Sequence, residues 1–274
     1  MKTYCYINGK IVTSNKMFVS AYDIGLLRGY AIYEGMTTRN SKTFYLKSHL
    51  KRFRKSAQKL KIKIPLTDEK ISRIISLLIK KNGFNRTNLR MILTAGETVN
   101  GIGYNKDKST FFILAENCEP LPNRLYKNGG KLMTREHLRF MPSVKTTNYI
   151  AAVGLQNIRK KVGAIEILFV HQGKVLECST SNIFIFNGNT LTTPKNNVLL
   201  GITREAVMDV AKKHFKTEIR DISTKELFKA SEVFITSSFK DIVPIVKIDK
   251  RKVGNGKVGK NTLTIMNLFS KLIK

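Results

Sequence analysis

The most informative stretch of this chain is Val144-Lys145-Thr146-Thr147-Asn148-Tyr149, and downstream of it stands Leu176-Glu177-Cys178-Ser179-Thr180-Ser181-Asn182. A lysine that forms a Schiff base must lose its proton part of the time, so its pocket must lower a pKa that is ~10.4 in water. A carboxylate can keep a pyridine nitrogen protonated, which makes the ring an electron acceptor. Lys145 and Glu177 are candidates for this pair. Each is weak evidence alone, because most lysines are solvated and strands carry polar residues on their outer face.

A third segment follows in the same half of the chain. After a strand-like run over residues 182–186 and a turn at 187–189, the segment Leu200-Gly201-Ile202-Thr203-Arg204 is predicted to open a helix, because residues 205–213 place their apolar members on one face. Backbone N–H groups and a hydroxyl at a helix start attract an anion, and the helix dipole adds to this. An ordinary threonine N-cap would look the same. The segment is therefore informative mainly through its place in the series.

In order and spacing, this series resembles the class IV, fold-type IV aminotransferases, which use pyridoxal 5'-phosphate. That family includes the branched-chain aminotransferases, the D-amino acid aminotransferases and 4-amino-4-deoxychorismate lyase. Residues 30–35 and 49–53 look like the family's glycine-aromatic segment and its His-Leu-x-Arg helix, and residues 233–238 look like its strand of phosphate-side hydroxyls. The resemblance covers nearly the whole chain.

The resemblance implies roles for individual residues. Lys145 would carry the cofactor as a Schiff base and, once released, move a proton between the substrate α-carbon and the cofactor. Glu177 would pair with the pyridine nitrogen, and Tyr149 would lie near the phenolic oxygen. The phosphate would be held by a guanidinium, two backbone N–H groups and two hydroxyls, supplied by Arg52, Ile202, Thr203, Ser237 and Ser238.

The usual substrate-carboxylate anchors of the subfamilies are absent. Branched-chain enzymes carry an arginine two residues after the glycine of Phe-Glu-Gly, but Met36 and Thr37 follow Tyr33-Glu34-Gly35 here. The loop over residues 94–104 lacks the Arg-x-His of one group of D-amino acid enzymes, and Ile102 stands where the lyase has an arginine. Substrate choice must therefore depend on other residues.

Arg28 and Arg90 are the candidates for that task, with Tyr33 beside them. Arg28 in Leu27-Arg28-Gly29-Tyr30, together with an Arg-x-x-Leu-Thr strand, looks like a less common group of D-amino acid transaminases. Arg90 alternates with apolar neighbours, and burying a guanidinium without a partner is expensive. An anionic substrate would be a natural partner for it.

These observations predict a pyridoxal-phosphate aminotransferase that exchanges an amino group between a D-amino acid and a 2-oxo acid such as 2-oxoglutarate. An L-branched-chain aminotransferase, supported by Tyr33-Glu34-Gly35, is the alternative, and the lyase is third. The family resemblance also implies a homodimer, across which Arg28 could act.

Composition sets limits on the class of protein. The chain has 274 residues, 42% of them apolar, and no run of ~20 apolar residues that would span a membrane. The N-terminus does not show a signal-peptide pattern, and Cys5, Cys118 and Cys178 lack disulfide or zinc spacing. We therefore expect a cytoplasmic enzyme with no metal and no membrane partner.

The formal net charge of +30 favours a different class, the nucleic-acid binders. The lysines are scattered, however, and aromatic residues are not interleaved with them on a plausible stacking strand. Lys145, Glu177 and Arg52 are all present, which disfavours a basic binding protein on this fold. We expect no nucleic-acid partner.

Patterning predicts an α+β fold of two domains. Residues 1–118 should form a small α/β domain with a strand over 3–12 and helices over 49–60 and 68–81. Residues 119–130, with two prolines and adjacent glycines, should be a linker. Residues 131–274 should form a larger, β-barrel-like cofactor domain with helices, including one over 150–162.

Overall fold

The computed structural model describes residues 3–273. The chain divides into two compact units: unit 1 is Met1–Glu119 with Val144–Asn148, and unit 2 is Pro120–Ser143 with Tyr149–Lys274. Two features differ from the predicted ranges. The lysine segment Val144–Asn148 groups with unit 1, and the stretch predicted as a linker contains a helix, Asn123–Asn128.

Unit 1 is an antiparallel sheet with helices. Its strands are β1 (Tyr4–Ile7), β2 (Lys10–Thr13), β3 (Ala31–Arg39), β4 (Lys42–Thr43), β5 (Thr87–Thr94), β6 (Thr98–Val99), β7 (Gly103–Tyr104) and β8 (Thr110–Asn117). Its helices are α1 (Ile24–Arg28), α2 (Leu46–Lys59) and α3 (Asp68–Asn82), with a short 3-10 turn at Ser14–Lys16. The sheet order is β2-β1-β8-β5-β3-β4, and β6 and β7 form a separate hairpin.

The strand predicted over residues 3–12 is a hairpin instead. Asn8 and Gly9 have φ values of 41° and 94°, and Tyr4 pairs with Thr13 across the turn. An Asn-Gly pair accepts left-handed backbone at both positions, which a two-residue hairpin turn requires. The predicted helices over 49–60 and 68–81 are present as α2 and α3. Thr67 caps α3 by accepting from the N–H of Lys70.

Strand β3 sends alternate side chains to opposite faces of the sheet. Ile32, Glu34 and Met36 are all 0% exposed, whereas the half-buried Tyr33 lies on the other face. The antiparallel register pairs Gly35 with Arg90 on β5, so Tyr33 and Arg90 share a face. Tyr33 and Glu34, which are neighbours in one motif, thus point to opposite faces of the sheet.

The edge of β3 that is not taken by β5 binds the lysine segment. The N–H of Tyr33 donates to the carbonyl of Lys145 at 2.9 Å, and the N–H of Thr147 donates to Ala31 at 3.1 Å. Ile32 and Thr146 form an antiparallel bridge. These backbone bonds explain why Val144–Asn148 groups with unit 1, although the residues on both sides of it belong to unit 2.

Unit 2 contains one long sheet. Its strands are β9 (Gly130–Glu136), β10 (Glu166–His171), β11 (Lys174–Cys178), β12 (Asn182–Asn187), β13 (Thr190–Thr193), β14 (Lys216–Ile219), β15 (Ile222–Ser223), β16 (Glu232–Ser237), β17 (Asp241–Ile248) and β18 (Arg251–Lys252). Its helices are α4 (Asn123–Asn128), α5 (Ile150–Gly154), α6 (Gln156–Lys161), α7 (Ile202–Ala211), α8 (Thr224–Leu227) and α9 (Lys260–Leu272). The order β14-β13-β12-β16-β17-β9-β10-β11-β15 mixes parallel and antiparallel pairs, and β18 pairs with β17.

The α+β prediction is confirmed, with one difference among the helices. The single helix predicted over residues 150–162 is two short helices, α5 and α6, that meet at Leu155. Residues 3–273 contain no helix that is both long and apolar enough to cross a membrane.

Replacing Phe234 by alanine should destabilise the protein by about 3–5 kcal/mol, because it removes a large buried side chain and leaves a cavity. Phe234 is 0% exposed and stacks on Phe184, with ring centroids 4.8 Å apart. Urea unfolding monitored by circular dichroism measures the loss. Val153→Ala is the control, since Val153 is 67% exposed and its loss should change stability by less than about 0.5 kcal/mol. Equal effects of the two substitutions would contradict this packing.

Candidate active site

Lys145 is held by its backbone against β3 and by its side chain against an aromatic ring. Its Nζ lies 4.3 Å from the centroid of the Tyr33 ring, within the range of a cation–π contact. Its backbone N–H donates to the hydroxyl of Ser56 on α2, at 3.4 Å. Strand and helix together fix where the lysine amine can be.

A buried charged cluster, which we call the Glu34 cluster, lies on the other face of β3 and comprises Glu34, His49 and Arg52. Arg52 donates to Glu34 twice, from Nε to Oε2 at 2.9 Å and from Nη2 to Oε1 at 2.6 Å. His49 Nδ1 lies 2.9 Å from Oε1, and the N–H of Gly35 donates to the same oxygen at 3.0 Å. Helix α2 supplies both partners, since His49 and Arg52 stand three positions apart.

The electrostatics of the Glu34 cluster favour one charge state. Burial alone would raise the pKa of Glu34, but the Arg52 guanidinium and the hydrogen bonds outweigh it and hold this pKa well below its usual range. Burial lowers the pKa of His49, and the positive charges of Arg52 and Lys145 lower it further against the pull of Glu34. The cluster is therefore an ionised carboxylate, an arginine and a neutral imidazole.

The candidate substrate arginines are both on the surface of unit 1. Arg28 ends helix α1, is exposed, and donates to the carbonyl of Leu27. Arg90 is not buried as its apolar neighbours suggested, because its side chain lies on the sheet face opposite Leu89 and Met91. It pairs with Glu116 on β8 at 3.2 Å, and both side chains are 46% exposed.

Glu177 stands on β11 in unit 2, where its carboxylate is surrounded by donors. Arg139 donates to Oε1 from Nε at 2.9 Å and from Nη2 at 2.6 Å. The N–H of Leu199 donates to Oε2 at 3.0 Å, and Asn182 Nδ2 lies 3.5 Å from the same oxygen. The side chains of Glu177 and Arg139 are 9% and 17% exposed. Such a carboxylate is fixed in orientation.

Arg139 was not found from the sequence. A largely buried glutamate calls for a cation, so the assignment of Glu177 implied that some arginine or lysine must be near it. With 49 basic residues in the chain, spacing could not show which one.

Ile202 and Thr203 open helix α7, as predicted, and the residue before them is Gly201. A β-carbon on Gly201 would lie 2.0 Å from Asn182 Oδ1, so this position has no room for a side chain. The helix start therefore has no side-chain cap, and its first N–H groups suit an anion.

Strand β16 pairs with β12, the strand whose Asn182 lies against Gly201. Thr236 pairs with Asn182, and among residues 3–273 its hydroxyl is one of the buried side-chain polar atoms that have no hydrogen-bond partner. Ser237 accepts from the N–H of Lys240 at 3.2 Å, and Ser238 follows it at the end of the strand. These hydroxyls and the helix start fit an oxyanion ligand.

Tyr149 directly precedes helix α5 in unit 2. Its ring packs against a small apolar cluster that includes Met133 and Phe169. This packing fixes the position of the ring at the start of the helix.

A second buried glutamate, Glu166, holds the turn between Glu177 and Asn182. It accepts from Lys240 Nζ at 2.8 Å, from the N–H of Thr180 at 2.8 Å, and from the hydroxyl of Ser181. Burial would raise the pKa of Glu166, but Lys240 and the hydrogen bonds lower it overall. Sequence reasoning did not single out this glutamate.

The chain matches one protein family and is similar in sequence to named aminotransferases. The family model described as "Amino-transferase class IV" matches residues 31–248. A putative branched-chain-amino-acid aminotransferase of Methanocaldococcus jannaschii is 32% identical over 96% of this chain and 94% of its own length. A D-alanine aminotransferase of Listeria innocua is 30% identical over 96% of this chain and 93% of its own.

Solved structures show the same fold. The branched-chain amino acid aminotransferase of Escherichia coli superposes with a TM-score of 0.93 at 22% identity, covering 100% of this chain and 95% of that one. The T.th. branched-chain amino acid aminotransferase with pyridoxamine 5'-phosphate gives 0.92 at 24% identity, covering 100% and 94%. At these sequence identities the structural likeness shows the fold alone, and it confirms the fold-type IV prediction.

The pKa of His49 predicts how stability depends on pH. The unfolded chain takes up the imidazole proton near pH ~6.5, whereas folded His49 resists it, so the free energy of unfolding should fall as the pH drops below that value. His49→Gln keeps a donor for Glu34 and should lose less stability between about pH 7 and about pH 5, measured by urea unfolding. His214→Gln is the control at an exposed histidine. A pH dependence that His49→Gln leaves unaltered would contradict the buried neutral imidazole.

Proposed function

The chain belongs to the class IV aminotransferases, whose cofactor is pyridoxal 5'-phosphate, and we propose that it exchanges an amino group between a D-amino acid and a 2-oxo acid such as 2-oxoglutarate. The observation that carries the choice of substrate is the pair of exposed guanidinium groups on unit 1, Arg28 and Arg90, the second of which shares a sheet face with Tyr33. Two cations suit a substrate with carboxylate groups.

We propose Lys145 as the covalent attachment point of the cofactor and as the acid and base of the reaction. Bound pyridoxal phosphate supplies an electron-withdrawing ring that makes the substrate α-proton removable. Lys145 Nζ would take that proton and return it to a different carbon. The Tyr33 ring below Nζ supports this role, because it restricts the path of the amine.

The phosphate site is proposed from groups in each unit taken separately. In unit 1 Arg52 is a preoriented guanidinium, held by Glu34 at 2.6 Å and 2.9 Å. In unit 2 the first turn of α7 offers the N–H groups of Ile202 and Thr203, and β16 leads to Ser237 and Ser238. The bare helix start at Gly201 and the buried hydroxyl of Thr236 are the features that fit a phosphate best.

Glu177 is proposed as the partner of the pyridine nitrogen, and Tyr149 as a neighbour of the phenolic oxygen. A carboxylate that accepts from Arg139 and Leu199 is held in one orientation, as a group that pairs with the ring nitrogen must be. The positive charge of Arg139 balances the negative charge of Glu177.

The pairing of Arg90 with Glu116 does not prevent a substrate role. Ion pairs between exposed side chains contribute roughly 0–1 kcal/mol, and both partners are 46% exposed. A substrate carboxylate that is shielded from water on binding would compete effectively with Glu116.

An L-branched-chain aminotransferase is the second candidate, because the relative from Methanocaldococcus jannaschii carries that name whereas the one from Listeria innocua is named for D-alanine. The motif that favoured this candidate is Tyr33-Glu34-Gly35. Its glutamate points to the face opposite Tyr33 and binds Arg52, so Glu34 does not distinguish between the two substrate classes. The lyase remains third.

We further propose a cytoplasmic homodimer. Unit 1 exposes large apolar side chains on α1, on the segment before it and on the β6–β7 turn, namely Phe18, Tyr22, Leu26 and Ile102, each at least 69% exposed. Exposed apolar side chains at this density suit a protein partner, and a second copy fits the resemblance to the family.

Lys145→Ala should abolish transamination and the visible absorbance of bound cofactor, because the attachment point is lost, while the fold remains. Absorbance spectra and a coupled assay for the 2-oxo acid product measure this. Lys51→Ala, at an exposed lysine of α2, is the control and should keep both. An active Lys145→Ala enzyme would exclude the proposed mechanism.

Addition of D-glutamate or D-alanine to the purified enzyme should bleach the visible band, whereas L-leucine and L-glutamate should not. Arg90→Gln should lower kcat/KM for the D-substrate by roughly 10–100-fold, the effect expected from loss of a charged hydrogen bond of about 1.5–3 kcal/mol. Glu116→Gln, which removes the surface partner of Arg90, should not lower it. A response to L-leucine instead would favour the branched-chain alternative.

A further inference from the structure

We infer that Glu34 is a positioning residue: it fixes the plane of the Arg52 guanidinium so that the other edge of this group meets the cofactor phosphate. This inference rests on the proposed role of Arg52 in the phosphate site. It assigns a function to a buried glutamate that is not among the site residues predicted from the sequence.

Two hydrogen bonds to Glu34 fix the orientation of the Arg52 guanidinium through one of its edges. Nε and Nη2 each donate to a different carboxylate oxygen, which places the two planar groups in one plane. A guanidinium has five N–H groups, so an edge that binds a carboxylate is compatible with a phosphate at another edge. The carboxylate itself cannot turn, because His49 and the N–H of Gly35 both hold Oε1.

Stability alone does not account for this arrangement. A buried ion pair loses the hydration of both charges, and replacement by apolar residues is often neutral or stabilising. Glu34 is 0% exposed and the Arg52 side chain is 13% exposed, so the cost of dehydration falls on both. An orienting role explains why a charged pair occupies this position.

The side chains of Tyr33 and Glu34 meet different cations. Tyr33 and Glu34 are neighbours on β3 and point to opposite faces, with Lys145 Nζ over the Tyr33 ring and Arg52 at Glu34. Within unit 1, one strand thus serves the lysine on one face and the phosphate arginine on the other.

The charge of the cluster gives a second, distinguishable model. Glu34 neutralises Arg52, and His49 is neutral, so the cluster as a whole carries no net charge. If Arg52 attracted the phosphate by charge alone, Glu34 would weaken binding and its removal would strengthen it. If orientation dominates, removal of Glu34 weakens binding.

The test compares pyridoxal phosphate with pyridoxal, which lacks the phosphate. The protein freed of cofactor is titrated with each. The dissociation constant of pyridoxal divided by that of pyridoxal phosphate measures phosphate recognition. Glu34→Gln should reduce this ratio at least tenfold, because the amide would point a donor at Arg52 and turn the guanidinium. Asp68→Asn is the matched control: Asp68 binds Arg54 on helix α2 at 2.6 Å, but both are about 40% exposed, and its ratio should match the wild type.

Arg52→Gln separates the inference from the function on which it rests. Wild-type protein that binds neither compound would contradict the proposed function. Arg52→Gln with a wild-type ratio would remove the role of Arg52 and overturn the inference with it. Two results would overturn the inference alone. One is a ratio that falls in Arg52→Gln but stays at the wild-type value in Glu34→Gln, and the other is tighter binding of pyridoxal phosphate by Glu34→Gln. If Glu34→Gln does not fold, Glu34→Asp keeps the charge and shortens the reach by one methylene, and a wild-type ratio there would overturn the inference.

Discussion

The pairing of β3 with the segment Val144–Asn148 is the interaction on which the rest of the candidate site in unit 1 depends. Two backbone hydrogen bonds, at Tyr33 and Thr147, join stretches of chain that are far apart in sequence. They fix the position of Lys145 along the strand. Because side chains of β3 alternate between its two faces, Tyr33 contacts Lys145 on one face and Glu34 binds Arg52 on the other. A slip of one residue in this register would exchange the two faces.

Three buried glutamates in the two units are neutralised in the same way. Glu34, Glu166 and Glu177 stand on different strands, and each accepts from one cationic side chain and from a backbone N–H group. The chain has 19 acidic and 49 basic residues, so most cations face water and few are selected for pairing. The formal net charge of +30 therefore says little about the interior.

Much of the fold could be predicted from the sequence, because turn residues and apolar periodicity act locally. Helices α2, α3 and α7 lie close to where apolar periodicity indicated, although α2 begins three residues earlier, and the Asn8-Gly9 pair is a standard local signal for a hairpin turn. The partners of buried charges could not be predicted, because they depend on which strands become neighbours. Arg139, Glu166 and the surface position of Arg90 are all of this kind. The short helices α5 and α6 also escaped prediction, since the apolar pattern continues across the break at Leu155.

The late position of residues 144–148 in the chain has a consequence for how unit 1 is made. On a ribosome that adds roughly 5–20 residues per second, strands β1 to β8 emerge seconds before the segment that completes the open edge of β3. During that interval a row of unsatisfied backbone groups is exposed, as on any edge strand that another chain can join. Nascent chains on the same messenger could therefore exchange this segment, and a fragment cut after Glu119 would keep the exposed edge permanently. Independent expression of the N-terminal region is for this reason a route to aggregates that join through the exposed edge of β3 rather than to an isolated unit.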